Sequence, residues 1–177
     1  DPYYGGTTGA LKGHKFSLFE GGIRVPAMLS WSGMLPAGQV IDAPCAAIDI
    51  FPSVLRAAGG SPAQYELDGL DILPLLATGQ ALPARDLFWE MDNQTAIRRG
   101  PWKLVLNGQL VEGEPAQAPL HLANLAEDMG ERVNLSERYP DLAAELSTAA
   151  RNWRQALEQR WQTEFAPQPN GFTGVTQ

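Results

Sequence analysis

Two histidines and one cysteine (His14, His121 and Cys45) are all the imidazole and thiol that this 177-residue chain carries. One thiol excludes an internal disulfide and a cysteine-rich zinc site, and two histidines far apart in sequence make a poor metal pair. Basic residues are outnumbered: 13 Lys and Arg against 20 Asp and Glu give a formal net charge of -7 and a pI near 4.8. Nucleic-acid binding needs clustered cations to neutralise phosphate, so the chain is expected not to bind nucleic acid. No apolar run approaches the roughly 20 residues of a membrane-spanning helix, so no membrane association is expected, and no basic-then-apolar leader opens the chain. Because the first residue is Asp1, that missing leader carries no information about export. What remains, 44% hydrophobic and 19% charged residues, is the composition of a globular chain with one good domain or two small ones.

The hydrophobic pattern divides in two. Residues 1–15 read as a Gly/Thr/Tyr loop, 24–31 as a buried strand with Pro26 near its start, and 32–44 as a Gly/Pro excursion. Residues 48–58 predict a helix with Asp49 near its N-cap and Gly59-Gly60 as its stop; 71–78 predict a second, capped by Asp71, entered through Pro74 and closed by Gly79. Beyond residue 86 the period shortens. Short strands are predicted over 87–91, 95–99, 102–106 and 120–125, with turns at Asp92-Asn93 and Gly100-Pro101 and a hairpin tip over 108–119, so a small antiparallel sheet is expected. Residues 140–161 predict the longest helix, with Pro140 at its first position and Leu142, Leu146, Ala150, Trp153, Leu157 and Trp161 on one face that packs on the sheet. Residues 166–177 read as a flexible polar tail.

The most informative stretch places Lys15 just ahead of Glu20-Gly21-Gly22-Ile23-Arg24-Val25-Pro26. Further pieces follow in order: Asp49-Ile50-Phe51-Pro52-Ser53; Asp68-Gly69-Leu70-Asp71-Ile72-Leu73-Pro74-Leu75-Leu76; Arg85-Asp86-Leu87-Phe88-Trp89-Glu90; Ala96-Ile97-Arg98-Arg99-Gly100-Pro101-Trp102-Lys103-Leu104; and Asp128-x-x-Glu131-x-x-Asn134-Leu135. Together they resemble the formylglycine-type sulfatases of the alkaline-phosphatase superfamily over roughly residues 10–160. Asp71 stands where serine is usual and Met129 where proline is usual.

The resemblance implies an α/β, alkaline-phosphatase-like fold. Residues 1–82 would be the C-terminal part of the large catalytic domain, and 83–165 the C-terminal α+β subdomain, an antiparallel sheet packed on a helix. It implies sulfate-ester hydrolysis by the full-length protein, with a sulfated small molecule or glycan as substrate and Lys15 contacting the sulfate. A compact ammonium suits a sulfate oxygen. Glu20 and Arg24, four apart across a double glycine, are expected to pair and hold that loop, with His14 beside it in support. Trp89 and Asn93, with Gln94 and Arg98, lie where the family's substrate cleft can be bordered; core packing for Trp89 and turn chemistry for Asn93 are the competing readings. His121 reads as structural.

The nucleophile is missing from this chain. The family makes formylglycine from Cys/Ser-x-Pro-x-Arg, and Cys45-Ala46-Ala47-Ile48-Asp49 has neither the proline nor the arginine. The calcium of the full-length enzyme would likewise have its ligands outside this chain, whose own metal ligands are read as none. The chain alone is therefore expected to be inactive, with the N-terminal part of the same enzyme as its partner and a homo-oligomer left open. The family suggests a periplasmic, extracellular or lysosome-like setting. The alternatives are a related phosphonate monoester hydrolase or phosphodiesterase, and a noncatalytic binding or assembly module.

Overall fold

The computed structural model describes residues 6–165, so the tail over 166–177 lies outside the described residues. In chain order the helices are α1 (Glu20–Ile23), α2 (Ile50–Ala57), α3 (Leu73–Thr78) and α4 (Pro140–Arg160), and the strands are β1 (Asp86–Met91), β2 (Gln94–Arg99), β3 (Trp102–Leu106) and β4 (Leu120–Asn124). The chain divides into two compact units: residues 1–24 with 86–177, and residues 25–85.

In the first unit the strands form one antiparallel sheet in the order β1-β2-β3-β4. The turns follow local chemistry: Asp92 and Gly100 take φ of 50° and 56° as the first residues of two-residue hairpin loops. Strand side chains alternate between faces, and here both faces are covered. Ile97, Leu104, Leu106 and Leu122 meet Ala143, Leu146 and Ala150 of α4, and Phe88 stacks on Trp153 with centroids 5.0 Å apart. On the other face Ala96 and Val105 meet Leu18 and Phe19 from the N-terminal segment.

Helix α4 begins at Pro140, whose missing N–H costs nothing there, with Asp141 in the positive first turn and Arg160 in the last. Its apolar stripe outruns the sheet: Leu157 and Trp161 are 38% and 53% exposed. Twenty-one helical residues extend about 30 Å, whereas strands this short reach roughly 17–20 Å. The four strands lie within a residue of their expected bounds.

In the second unit the strand expected over 24–31 is not formed. Val25, Met28 and Leu29 are exposed, and among the described residues no strand pairs with this segment. Apolar, β-branched character signals burial, but a strand exists only where a neighbour takes its N–H and C=O groups. Helix α2 follows a 3-10 turn over Ala47–Asp49 and leaves Ile50, Phe51 and Val54 exposed. Ile72, not the expected Asp71, is the N-cap of α3; Asp71 lies one residue before it and accepts from Leu73 N–H at 3.0 Å, and Gly79 ends the helix at φ 74°. Buried Asp49 organises this unit. Its carboxylate takes both guanidinium arms of Arg85 at 2.6 and 2.5 Å and the amides of Ala46 and Leu70 at 2.8 Å each. Burial opposes ionisation, yet these four donors hold its pKa below the ordinary value. Gly69 is required beside it, because a Cβ there would lie 2.0 Å from Ile48 O. Among the described residues no helix is long and apolar enough to cross a membrane.

Leu146 is fully buried between α4 and the sheet. Leu146→Ala is expected to destabilise the protein by about 2–5 kcal/mol, read as a lower urea midpoint at unchanged m-value.

Candidate active-site loop

Lys15 sits in a tight turn: Ser17 N–H donates to His14 O at 2.9 Å, so Lys15 and Phe16 are its two central residues. Phe16 takes φ 72°, the value a type II turn requires where glycine is normal. A bulky side chain in that region costs free energy and persists only when its surroundings hold it. They do. Gln94, fully buried on β2, donates from Nε2 to Phe16 O at 2.8 Å, while its Oε1 accepts from Leu18 N–H at 3.3 Å and Gln109 N–H at 3.0 Å. From α1, Gly21 N–H donates to Lys12 O at 2.8 Å. A Cβ on Gly21 would meet Gly13 O at 2.1 Å, and one on Gly22 would meet Ser17 O at 2.0 Å. The double glycine therefore lets α1 lie directly against the lysine turn. Lys15 itself is exposed, its ammonium 4.8 Å from the Phe16 ring centroid. His14 is half-buried and turns Nδ1 to Lys15 O at 3.0 Å, a contact that supports the loop.

Below the turn lies a buried ion cluster. Lys103, fully buried on β3, donates to Glu20 Oε1 at 2.9 Å and stands 3.1 Å from Glu131 Oε1. Glu131 Oε2 accepts the Glu20 N–H at 2.5 Å. Arg24 completes the expected pair with Glu20 at 3.3 Å. Burial alone would raise the pKa of Glu20, but Lys103 and Arg24 outweigh it and hold it low. Glu131 goes the other way: burial dominates and raises it, with Lys103 only partly offsetting. The surrounding motif has a physical role at each polar position. Asp128 accepts from the amides of Arg132 and Val133 at 2.6 and 3.0 Å, and Asn134 bridges Leu122 N–H and Leu120 O.

His121 on β4 lies beside this cluster, edge-on to Phe19 at 5.3 Å and with Nδ1 3.5 Å from Lys12 Nζ. Burial, then the Lys12 charge, lowers its pKa to about 4. Its Nε2 is buried without a hydrogen-bond partner among the described residues.

Trp89 packs against the Leu18 and Phe19 cluster. Asn93 is exposed in the β1–β2 turn, its carbonyl accepting from Asn107. Gln94, expected at a cleft border, is instead sealed beneath the lysine turn, and half-buried Arg98 donates to Gly100 O. Cys45 is exposed. Among the described residues no three His, Cys, Asp or Glu side chains converge on a metal-sized site. Lys103 and Glu131 were not foreseen as partners of Glu20. Their only signal was the motif positions they occupy.

The fold of a sheet in this order packed on a long helix is shared with solved structures. The solved structure of Ps i-CgsB superposes with a TM-score of 0.70 at 23% identity, over 95% of this chain and 39% of that one. A Bacteroides thetaiotaomicron structure, described with the metabolism of multiple glycosaminoglycans, superposes at 0.63 and 22% identity, over 83% and 32%. The family described as Sulfatase matches residues 2–61. Human steryl-sulfatase is 47% identical over 74 residues, which is 41% of this chain and 13% of that protein. Arylsulfatase A of Bos taurus is 29% identical over 168 residues (84% and 33%), and N-acetylgalactosamine-6-sulfatase of Mus musculus 29% over 184 (88% and 35%). These matches make the chain similar to the C-terminal part of sulfatases. It spans about a third or less of the length of these curated relatives. The phosphonate-hydrolase and binding-module alternatives are not favoured.

Lys103→Met leaves two carboxylates facing each other in the interior and is expected to cost about 3–5 kcal/mol in urea unfolding, most of it recovered when Glu20→Gln and Glu131→Gln are added. His121 gives a pH signature. Its folded pKa near 4 lies below the unfolded value near 6.5. Its contribution is therefore complete above pH 6.5 and lost as pH falls towards 4, a change of about 3 kcal/mol. Unfolding measured at pH 7 and at pH 4.5 should show this loss, and His121→Gln should flatten it.

Proposed function

We propose that the full-length protein hydrolyses a sulfate ester and that this chain contributes Lys15 to hold the substrate sulfate. The observation that carries the reading is an exposed ammonium on a turn whose exit is held by Gln94, in the Glu-Gly-Gly-x-Arg-x-Pro context of the family. A point charge fixed in advance compensates negative charge on sulfate oxygens without reorganising at the moment of reaction. Glu20, Arg24 and His14 set the loop's position. Calcium and formylglycine, which in this reading supply charge neutralisation and the nucleophile, would be held by the rest of the full-length protein.

In this reading residues 1–82 are the end of the catalytic domain and 83–165 the C-terminal subdomain. The N-terminal part of the same enzyme is the partner, and the apolar side chains exposed on α2 and over 25–40 suit burial against it. The substrate is a sulfated small molecule or glycan, and an exported or lysosome-like compartment goes with it.

In the full-length protein, Lys15→Ala is expected to lower turnover of an aryl sulfate by about 10²–10³-fold, with Lys15→Arg intermediate, and the 177-residue chain alone should show no turnover. Unchanged turnover in Lys15→Ala, or activity in the chain alone, overturns the proposal.

A further inference from the structure

The geometry points to Gln94 as the residue that positions Lys15, an inference that rests on the reading of Lys15 as the sulfate-holding cation. A lysine on a surface turn would ordinarily be placed only loosely, since four rotatable bonds and a mobile backbone separate its charge from any scaffold. Here one side chain restrains the backbone where the chain leaves the turn. The Gln94 carboxamide is fully buried and makes three hydrogen bonds, to Phe16 O, Leu18 N–H and Gln109 N–H. The first two flank the exit of the lysine turn. The Phe16 carbonyl belongs to the residue in the left-handed conformation, so the bond from Nε2 acts where the backbone would otherwise relax.

Gln94 is itself held from the opposite side of the sheet. Its backbone pairs with Met91 across the β1–β2 hairpin. Its carbonyl accepts from Arg154 of α4 at 3.0 Å, and the same guanidinium binds Thr95 Oγ1 at 2.9 Å and the Asp92 carbonyl. A continuous series of contacts thus runs from the long helix through Arg154 and Gln94 to Phe16 and Lys15. A carboxamide suits this place because it offers donors and an acceptor in one plane. The isosteric carboxylate keeps the two acceptor bonds but turns an oxygen towards the Phe16 carbonyl, and methionine keeps the volume but satisfies none of the three groups. Gln94 does not touch substrate; it acts through Lys15, and a misplacement of about 1 Å in such a group can cost about a hundredfold.

The test is a double-mutant cycle in the full-length protein, with an aryl sulfate as substrate. Gln94→Met is expected to lower kcat/KM about tenfold to a hundredfold, with Gln94→Glu in between. In a Lys15→Ala background the same substitutions should lower it less than about threefold, because the group they displace is gone. Amide hydrogen exchange should show protection lost at Leu18 and Gln109. Equal losses in both backgrounds would make Gln94 a general stability residue and overturn the positioning role, as would an unaffected kcat/KM in Gln94→Met. If Lys15→Ala alone leaves turnover unchanged, the reading of Lys15 fails, and the positioning role for the reaction falls with it, a result distinct from the other two. Should Gln94→Met not fold, the cycle with Gln94→Glu decides by the same criteria.

Discussion

A buried ammonium organises the first unit. Lys103 is fully buried, and an ion of that size moved into a low-dielectric interior would cost several kcal/mol even after relaxation. It is tolerated because Glu20 and Glu131 meet it at 2.9 and 3.1 Å. Those carboxylates come from α1 and from the 128–134 turn, so the cation on β3 joins three segments that share no strand pairing. An apolar triad of equal volume could match its stability. It could not specify where α1 sits, because hydrophobic contacts have no direction, whereas this cluster adds a backbone donor from Glu20 to Glu131.

The sheet is a platform with two purposes. One face of its alternating side chains packs on α4 in the usual way. The other carries polar residues among apolar ones: Gln94, Arg98, Lys103 and His121 beside Ala96 and Val105. Each buried polar group on that face reaches toward the N-terminal segment, which brings Lys15 with it. The cost of desolvating these groups is repaid in position rather than in stability, as expected where a functional loop must be held against its own backbone preference.

Much of this was legible in the sequence. The periodicities of β1–β4 and α4, Pro140 at a helix start, and the Gly79 cap are local effects, decided within a few residues. The Glu20–Arg24 pair was legible for the same reason. Lys103 to Glu20 and Glu131 to Glu20 were not, because those partners lie 83 and 111 positions apart, and no local rule marks which strand lysine turns inward. In the sequence Gln94 reads as lying where a substrate cleft can be bordered; its burial was not legible, because it depends on a segment far upstream. The apolar run over 24–31 shows the converse. Its pattern is clear, but pairing is a property of a neighbour rather than of the run itself.

The first unit is discontinuous along the chain, with residues 25–85 falling between its two parts. Synthesis runs from the N-terminus, so the Lys15 turn leaves the ribosome before β2 exists to supply Gln94, before β3 supplies Lys103, and well before Glu131. During that interval Phe16 has nothing to hold its left-handed backbone, and the apolar side chains of Leu18 and Phe19 have no sheet to cover them. Long-range closures of this kind form late, after the entropy of the intervening loop has been met. Order of manufacture and order of completion are therefore opposed: the segment that carries the exposed lysine is made before the strands that hold it and takes its final shape only after them.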